Sequence, residues 1–234
     1  MTKVNQEHVH DIFNKISTDY DKMNAIISFK QHDIWRNRTM KKMDVKEGMK
    51  VLDLCCGTGD WTLDLAKAVG EQGSVIGLDF SENMLKVAQN KAKQSEYKNI
   101  ELIQGNAMNL PFEDNSFDTV TIGYGLRNTP EYLTVLKEMN RVLKSGGQAV
   151  CIDTSHPILP IYRHLFDFYF SKIMPAFGKI FAKSYEEYSW LQESAKDFPD
   201  AQVLKELFNQ AGFIEVNYQM FGGGAVASHF GKKK

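Results

Sequence analysis

The chain has 234 residues, enough for one sizeable α/β domain and cramped for two. Its 28 basic and 29 acidic residues leave a formal net charge of -1, so no overall basic excess points to nucleic acid. Residues 1–20 lack an apolar core of signal-peptide length and no window approaches a membrane span, so a cytoplasmic protein is expected, its three cysteines (Cys55, Cys56, Cys151) serving as small buried apolar residues without metal spacing.

Residues 9–23 place Val9, Ile12, Phe13, Ile16, Tyr20 and Met23 on one helical stripe. On pattern alone this helix covers the sheet edge in preference to forming a ligand lid. Tyr20-Asp21-Lys22-Met23-Asn24, then Ser28, His32 and Trp35, make a polar and aromatic series without metal spacing, and residues 33–40 continue as a second helix ending before Gly48. From Lys50 the pattern alternates. Strands are expected at 50–55, 74–79, 100–105, 117–123 and 147–153, and helices at about 60–69, 82–94 and 130–144. The C-terminal segment reads as a closing pair of strands, 213–219 and 225–230, around a flexible reversal at Gly222-Gly223-Gly224, and Lys232-Lys233-Lys234 as a solvated end. The alternation implies an α/β fold with a mostly parallel sheet, helices on both faces and right-handed crossovers.

Ligands in such sheets bind outside the carboxyl ends of the strands. The first of these ends is an apolar run broken by Asp53 and closed by Gly57-Thr58-Gly59, a buried strand entering a tight turn and a helix. A dinucleotide turn would carry a third glycine three residues after the second; Thr62 stands there, which disfavours a pyrophosphate and leaves a nucleoside without phosphates. Asp79 ends the second strand, twenty positions after Gly59, close to the spacing of an acid that accepts from ribose hydroxyls, although it also reads as a turn acid before the helix opened by Ser81. Asn106 offers a donor and an acceptor to an adenine edge and Ala107 a backbone N–H, although a plain turn asparagine would look the same. Gly123–Asn128 and Asp153–His156 follow the fourth and fifth strands.

Asp-Leu-Cys-Cys-Gly-Thr-Gly at 53–59, Gly-Leu-Asp at 77–79, Gly-Asn-Ala at 105–107, Leu-Pro-Phe at 110–112 with Phe117-Asp118, and Arg-Val-Leu-Lys-Ser-Gly-Gly at 141–147 resemble the successive motifs of class I S-adenosylmethionine-dependent methyltransferases. The resemblance implies a Rossmann-like fold with a seven-stranded, mostly parallel sheet and an antiparallel C-terminal strand. It implies S-adenosylmethionine bound by Asp53, Gly57, Thr58, Gly59, Asp79, Asn106, Ala107 and Gly123. Cys55 stands where many members have glycine. The series from Tyr20 to Trp35 and Gly125-Leu126-Arg127-Asn128 are similar to the signatures of the ubiquinone and menaquinone biosynthesis C-methyltransferase family, with Ser145 and Asp153 where that family usually has proline or valine and glutamate. One domain is then expected, with a helical cap at 1–47, a cofactor core at 48–155, and substrate-cover helices with closing strands at 156–234.

This resemblance implies methyl transfer to a ring carbon of a reduced, prenylated naphthoquinol in menaquinone biosynthesis. Arg127 and Asn128 are the expected catalytic residues, steadying the phenolate oxygen, with Arg127 acting electrostatically because it stays protonated. Tyr124, Asp153 and His156 are placed for a general base, although His156 reads better as a turn residue before Pro157. The aromatics at 158–181, among them Tyr162, Phe166, Phe170 and Phe177, read as a prenyl channel or as sheet cover and a homodimer surface, and this segment with the N-terminal helix is expected to make weak peripheral contact with the inner face of the membrane. The alternatives are a ubiquinone precursor or another small molecule as acceptor, or a non-catalytic cofactor-binding scaffold subunit.

Overall fold

A computed structural model describes residues 6–157 and 193–234, with side chains from Val9 onward. The expected prenyl channel at 158–181 lies outside the described residues. Strand follows helix as the alternation requires: β1 (Lys50–Leu54), α4 (Asp60–Val69), β2 (Ser74–Asp79), α5 (Glu82–Gln94), β3 (Ile100–Gln104), β4 (Phe117–Gly123), α6 (Tyr132–Val142) and β5 (Leu143–Thr154). Three helices precede them, α1 (Gln6–Ile16), α2 (Tyr20–Ile27) and α3 (Gln31–Met40), and α7 (Ala201–Gln210), β6 (Phe213–Phe221) and β7 (Val226–Lys233) close the chain. The seven strands form one sheet in the order β3-β2-β1-β4-β5-β7-β6, in which β7 alone runs against the others. The strand order reverses between β1 and β4, so the loops after those two strands flank the crevice where such sheets take ligands.

Val51, Leu52, Leu54, Val120 and Ile122 are sealed from solvent on both faces of the central strands, which explains the unbroken apolar runs. Helix starts are capped where the sequence offers a short polar side chain. Ser81 accepts from Met84 N at 3.2 Å to open α5, and Asp200 accepts from Val203 N at 2.9 Å to open α7.

Three boundaries differ from the sequence pattern. The stripe from Val9 to Met23 is two helices rather than one, because Ser17-Thr18-Asp19 forms a turn in which Ser17 Oγ donates to Asn14 O at 3.1 Å and Asp19 N to Ile16 O at 3.0 Å. Short polar side chains compete for backbone bonds and stop a helix that apolar spacing would continue. The lysine tail is exposed at Lys232 and Lys234, as expected of a solvated end, but it is not loose: Lys232 pairs with Glu215 at 2.7 Å, and Lys233 Nζ donates to Asn115 Oδ1 and Arg141 O, so β7 extends to Lys233. The triple glycine is a closed 3₁₀ turn with φ of 54°, 67° and 102°, against whose first residue Trp35 of α3 packs.

Cys55 carries a side chain at φ 51°, where its backbone is left-handed, and it meets Gly125 across the crevice. A Cβ at Gly125 would stand 2.3 Å from Cys55 Cβ. Gly125→Ala should therefore cost about 1–3 kcal/mol of stability by overpacking, and Cys55→Gly in the same chain should recover most of it. Urea denaturation of the two single variants and the double variant measures the coupling; additive costs would show that the two residues do not oppose each other.

Candidate active site

The carboxyl ends of β1, β2, β3 and β4 surround a cavity of about 500 Å³. Gly57, Asp79, Asn106, Ala107, Gly123 and Asn128 of the expected site line it; Asp53, Thr58, Gly59 and Arg127 do not. Helix α1 closes one side with Val9, His10 and Phe13, and α2 contributes Tyr20. The apolar stripe thus does both: Val9, Phe13 and Tyr20 face the cavity, while Ile12, Ile16 and Met23 pack with Met84 of α5 as cover.

Asp79 is buried, and one carboxylate oxygen accepts from Gly57 N at 2.9 Å, the other from Ser81 N at 2.8 Å. Burial pushes its pKa up and the backbone N–H groups oppose that rise. Each oxygen keeps a lone pair for a hydroxyl of the ligand. Asn106 spends its Oδ1 on Met108 N at 2.9 Å, as a turn asparagine does, which leaves its NH₂ as the group it can offer a base. Leu78, Phe80, Met84 and Met108 give this end of the cavity an apolar wall. These donors, acceptors and walls fit an adenosine bearing no phosphate.

The other expected residues act from outside the cavity. Asp53 is 1% exposed, and its two oxygens accept from Thr121 Oγ1 of β4 and Thr62 Oγ1 of α4, each at 2.7 Å. Thr62, which stands where a dinucleotide turn has glycine, therefore pins α4 to β1. Gly59, at φ 85°, lets α5 approach so closely that a Cβ there would lie 3.0 Å from Ala88 Cβ. Thr58 Oγ1 donates to Asp21 Oδ1 of α2 at 2.6 Å, and Lys91 of α5 binds both Asp21 and Asp60. The glycine turn is thereby tied to the cap helix above it.

Arg127 and Asn128 sit in a 3₁₀ turn after β4, both buried. Arg127 Nη1 donates to Asp153 Oδ1 at 2.6 Å and its backbone N to Oδ2 at 3.2 Å, while its guanidinium carbon lies 5.7 Å from the centre of the Tyr124 ring. Burial disfavours the charge on Arg127, but Asp153, with Tyr20 and Tyr124, outweighs this and raises its pKa. Four buried polar atoms on the segments after β4 and β5 have no partner among the described residues: Tyr124 Oη, Arg127 Nε, Asn128 Oδ1 and Ser155 Oγ. Buried groups in folded proteins seldom stay unpaired, so these atoms suit a polar group brought by a ligand.

The pattern of the ubiE/COQ5 methyltransferase family matches residues 1–233 of this chain. The chain belongs to that family. A demethylmenaquinone methyltransferase of Lactococcus lactis subsp. lactis is 67% identical over 233 residues, covering 100% of this chain and 92% of that protein. One from Lysinibacillus sphaericus is 62% identical over 234 residues, covering 100% and 99%. Among solved structures, an S-adenosylmethionine-dependent methyltransferase from Aquifex aeolicus is similar with a TM-score of 0.66 at 21% identity, over 93% of this chain and 97% of that one. A possible histamine N-methyltransferase from Thermotoga maritima is similar with a TM-score of 0.67 at 20% identity, over 97% and 100%. At those identities the likeness speaks for the fold, which is that of the class I methyltransferases.

Within this family member none of the three groups placed for a general base is free to act as one near neutral pH. His156 Nε2 donates to Phe198 O at 2.7 Å, as a turn residue. Burial, reinforced by Asp153, pushes the Tyr124 hydroxyl far above its ordinary value. Asp153 is taken up by Arg127 and Thr154. Burial likewise raises the Cys55 and Cys56 thiols, which are half-buried rather than fully enclosed and, being protonated, are poor nucleophiles. Sequence reasoning did not find His10 or Phe80, whose rings lie 5.4 Å apart at the cavity wall. His10 sits beside the apolar stripe, and only the packing of α1 against α5 brings it to the site.

Two outcomes follow from these contacts. Arg127→Ala strands Asp153 in the interior and should cost about 3–5 kcal/mol, whereas pairing Arg127→Met with Asp153→Leu should restore most of that in denaturant melts; equal losses in both variants would contradict a buried pair. Burial raises the Asp53 pKa to about 6 despite its two hydroxyl donors. Because the folded value exceeds the unfolded one of 3.8, the folded state holds the extra proton, and stability falls as pH rises through that window. Relative to Asp53→Asn, the protein should lose at most about 3 kcal/mol across it, read from melts on both sides; a constant difference would refute the shift.

Proposed function

We propose that this protein transfers a methyl group from S-adenosylmethionine to a ring carbon of demethylmenaquinol, giving menaquinol, and that it works at the cytoplasmic face of the membrane. The observation that carries this reading is the 67% identity, over the whole chain, to a demethylmenaquinone methyltransferase. The cavity supports it. Asp79 takes the ribose hydroxyls, Asn106 and Ala107 meet the adenine edge, and Gly57 and Gly123 leave room for the remainder. Asp53, Thr58 and Gly59 shape the turn through Thr62, Thr121, Asp21 and Ala88.

When bound, S-adenosylmethionine supplies an electrophilic methyl group on a sulfonium. The chain's own task is to hold the acceptor carbon in line with it in a dry cavity and to favour the phenolate. A quinol hydroxyl with a tyrosine-like pKa of about 10 stays protonated in neutral water. Asn128 Oδ1, buried and unpartnered, accepts from that hydroxyl and orients it. Arg127, behind the cavity wall, acts through its permanent charge, which favours the anion even though Asp153 shares it. Val9, Phe13 and Tyr20 from the cap helices exclude water over the reacting atoms.

The purified protein with labelled S-adenosylmethionine should methylate reduced demethylmenaquinone by itself, and prefer it to a reduced ubiquinone precursor offered beside it. Labelled product from the benzoquinol alone would reassign the acceptor. Equal turnover of a quinol lacking its prenyl tail would remove the tail from recognition.

A further inference from the structure

Helices α2 and α3 and the turn between them carry a surface that the cavity does not use. Among the described residues five large apolar side chains are exposed, and three of them are here: Ile26 at 37%, Phe29 at 68% and Ile34 at 43%. Around them stand Lys22, Lys30, Arg38, Lys41 and Lys42, all exposed. The two acids of the same stretch do not offset that charge. Asp21 is bound to Thr58 and Lys91, and Asp33 to His32 and Arg36.

The placement follows from the local chain. Lys22 and Ile26 lie one helical turn apart on α2, away from buried Met23. The backbone is left-handed at Phe29 and Lys30, φ 50° and 58°, which turns the chain sharply and puts both side chains at the tip. On α3, buried Thr39 meets Ser228 of β7, so the face bearing Ile34, Arg38 and Lys41 points to solvent. Tyr20, at the other end of α2, lines the cavity, and the helix between them rises about 12 Å. An apolar patch ringed by cations is the composition of an interfacial membrane contact, in which the apolar groups enter the headgroup boundary and the cations meet anionic lipid.

We propose that the α2–α3 surface docks the protein on an anionic lipid bilayer, with Phe29, Ile26 and Ile34 entering the interface and the five cations facing the headgroups. The inference rests on the reading of the acceptor as a prenylated lipid, which must leave a membrane to reach the cavity, and it replaces a general expectation of membrane contact with a defined surface. No helix among the described residues is long and apolar enough to cross a membrane.

The test is sedimentation of the full-length protein with phosphatidylcholine vesicles, with and without phosphatidylglycerol, in the absence of any acceptor. The wild type should sediment with the anionic vesicles only, and salt should release it. Neutralising Lys30, Arg38 and Lys41 to Gln should lower vesicle partition roughly a hundredfold, at about fivefold per charge. Phe29→Asn, which suits a left-handed backbone, should lower it about tenfold. Both variants should methylate detergent-dissolved acceptor as the wild type does and lose turnover on acceptor held in vesicles. Equal binding to both vesicle types, or wild-type partition by the triple variant, would overturn the proposal. A solution dimer that the triple variant splits, without vesicle binding, would overturn it in favour of self-association. A wild type inactive on detergent-dissolved acceptor would instead count against the acceptor assignment, because vesicle binding is read without acceptor.

Discussion

The carboxylate of Asp79 accepts one backbone N–H from Gly57 and another from Ser81, and these two bonds set the shape of the ligand edge. They join the turn after β1 to the start of α5, two elements that the sheet brings together only because β1 and β2 pair in parallel with Leu54 opposite Leu78. They hold the turn together with the bonds from Cys56 N to Leu78 O and from Thr58 Oγ1 to Asp21. It bends through left-handed backbone at Cys55, Gly57 and Gly59, and a free loop would have many other ways to run. A buried acid at this point is costly to ionise, and the backbone donors that lower the cost are the same ones that order the loop.

Two other strand-end acids repeat the arrangement with different partners. Asp53 is satisfied by threonine hydroxyls from β4 and α4, and Asp153 by the guanidinium of Arg127. Only Asp79 of the three lines the cavity. Asp53 and Asp153 fix the loops from behind. The cap helices are held in the same way, through Asp21 on Thr58 and Lys91. The site is thus framed by acids whose partners come from neighbouring elements, so its geometry exists before a ligand arrives. The unpartnered atoms at Tyr124, Arg127, Asn128 and Ser155 mark where that framework stops.

Alternating apolar runs and turn residues were enough to place five of the strands within a few residues and to predict the parallel sheet, since both signals are local. The edge of the cavity was legible at Asp79 and Asn106 because a strand's carboxyl end is a position that the sequence states directly. Asp53 shows the limit: it shares β1 with the glycine turn, yet whether its side chain meets a ligand or a threonine depends on the register with β4, which pairs Asp53 with Thr121. The break at Ser17–Asp19 was missed because apolar spacing carries across it, and the tail lysines because their partners, Glu215, Asn115 and the Arg141 carbonyl, are remote in sequence. The acceptor was never legible from spacing; it came from family signatures at 20–35 and 125–128.

The central claim is that this edge binds S-adenosylmethionine through the Asp79 carboxylate. Calorimetric titration of S-adenosylmethionine into the wild type and into Asp79→Asn tests it directly. The change keeps the side chain's size and one acceptor, but removes the charge that two ribose hydroxyls would meet. Affinity should fall about tenfold to a hundredfold, the loss of one or two hydrogen bonds to a charged group, in a variant that still melts cooperatively. An unchanged affinity in a folded variant would contradict the account.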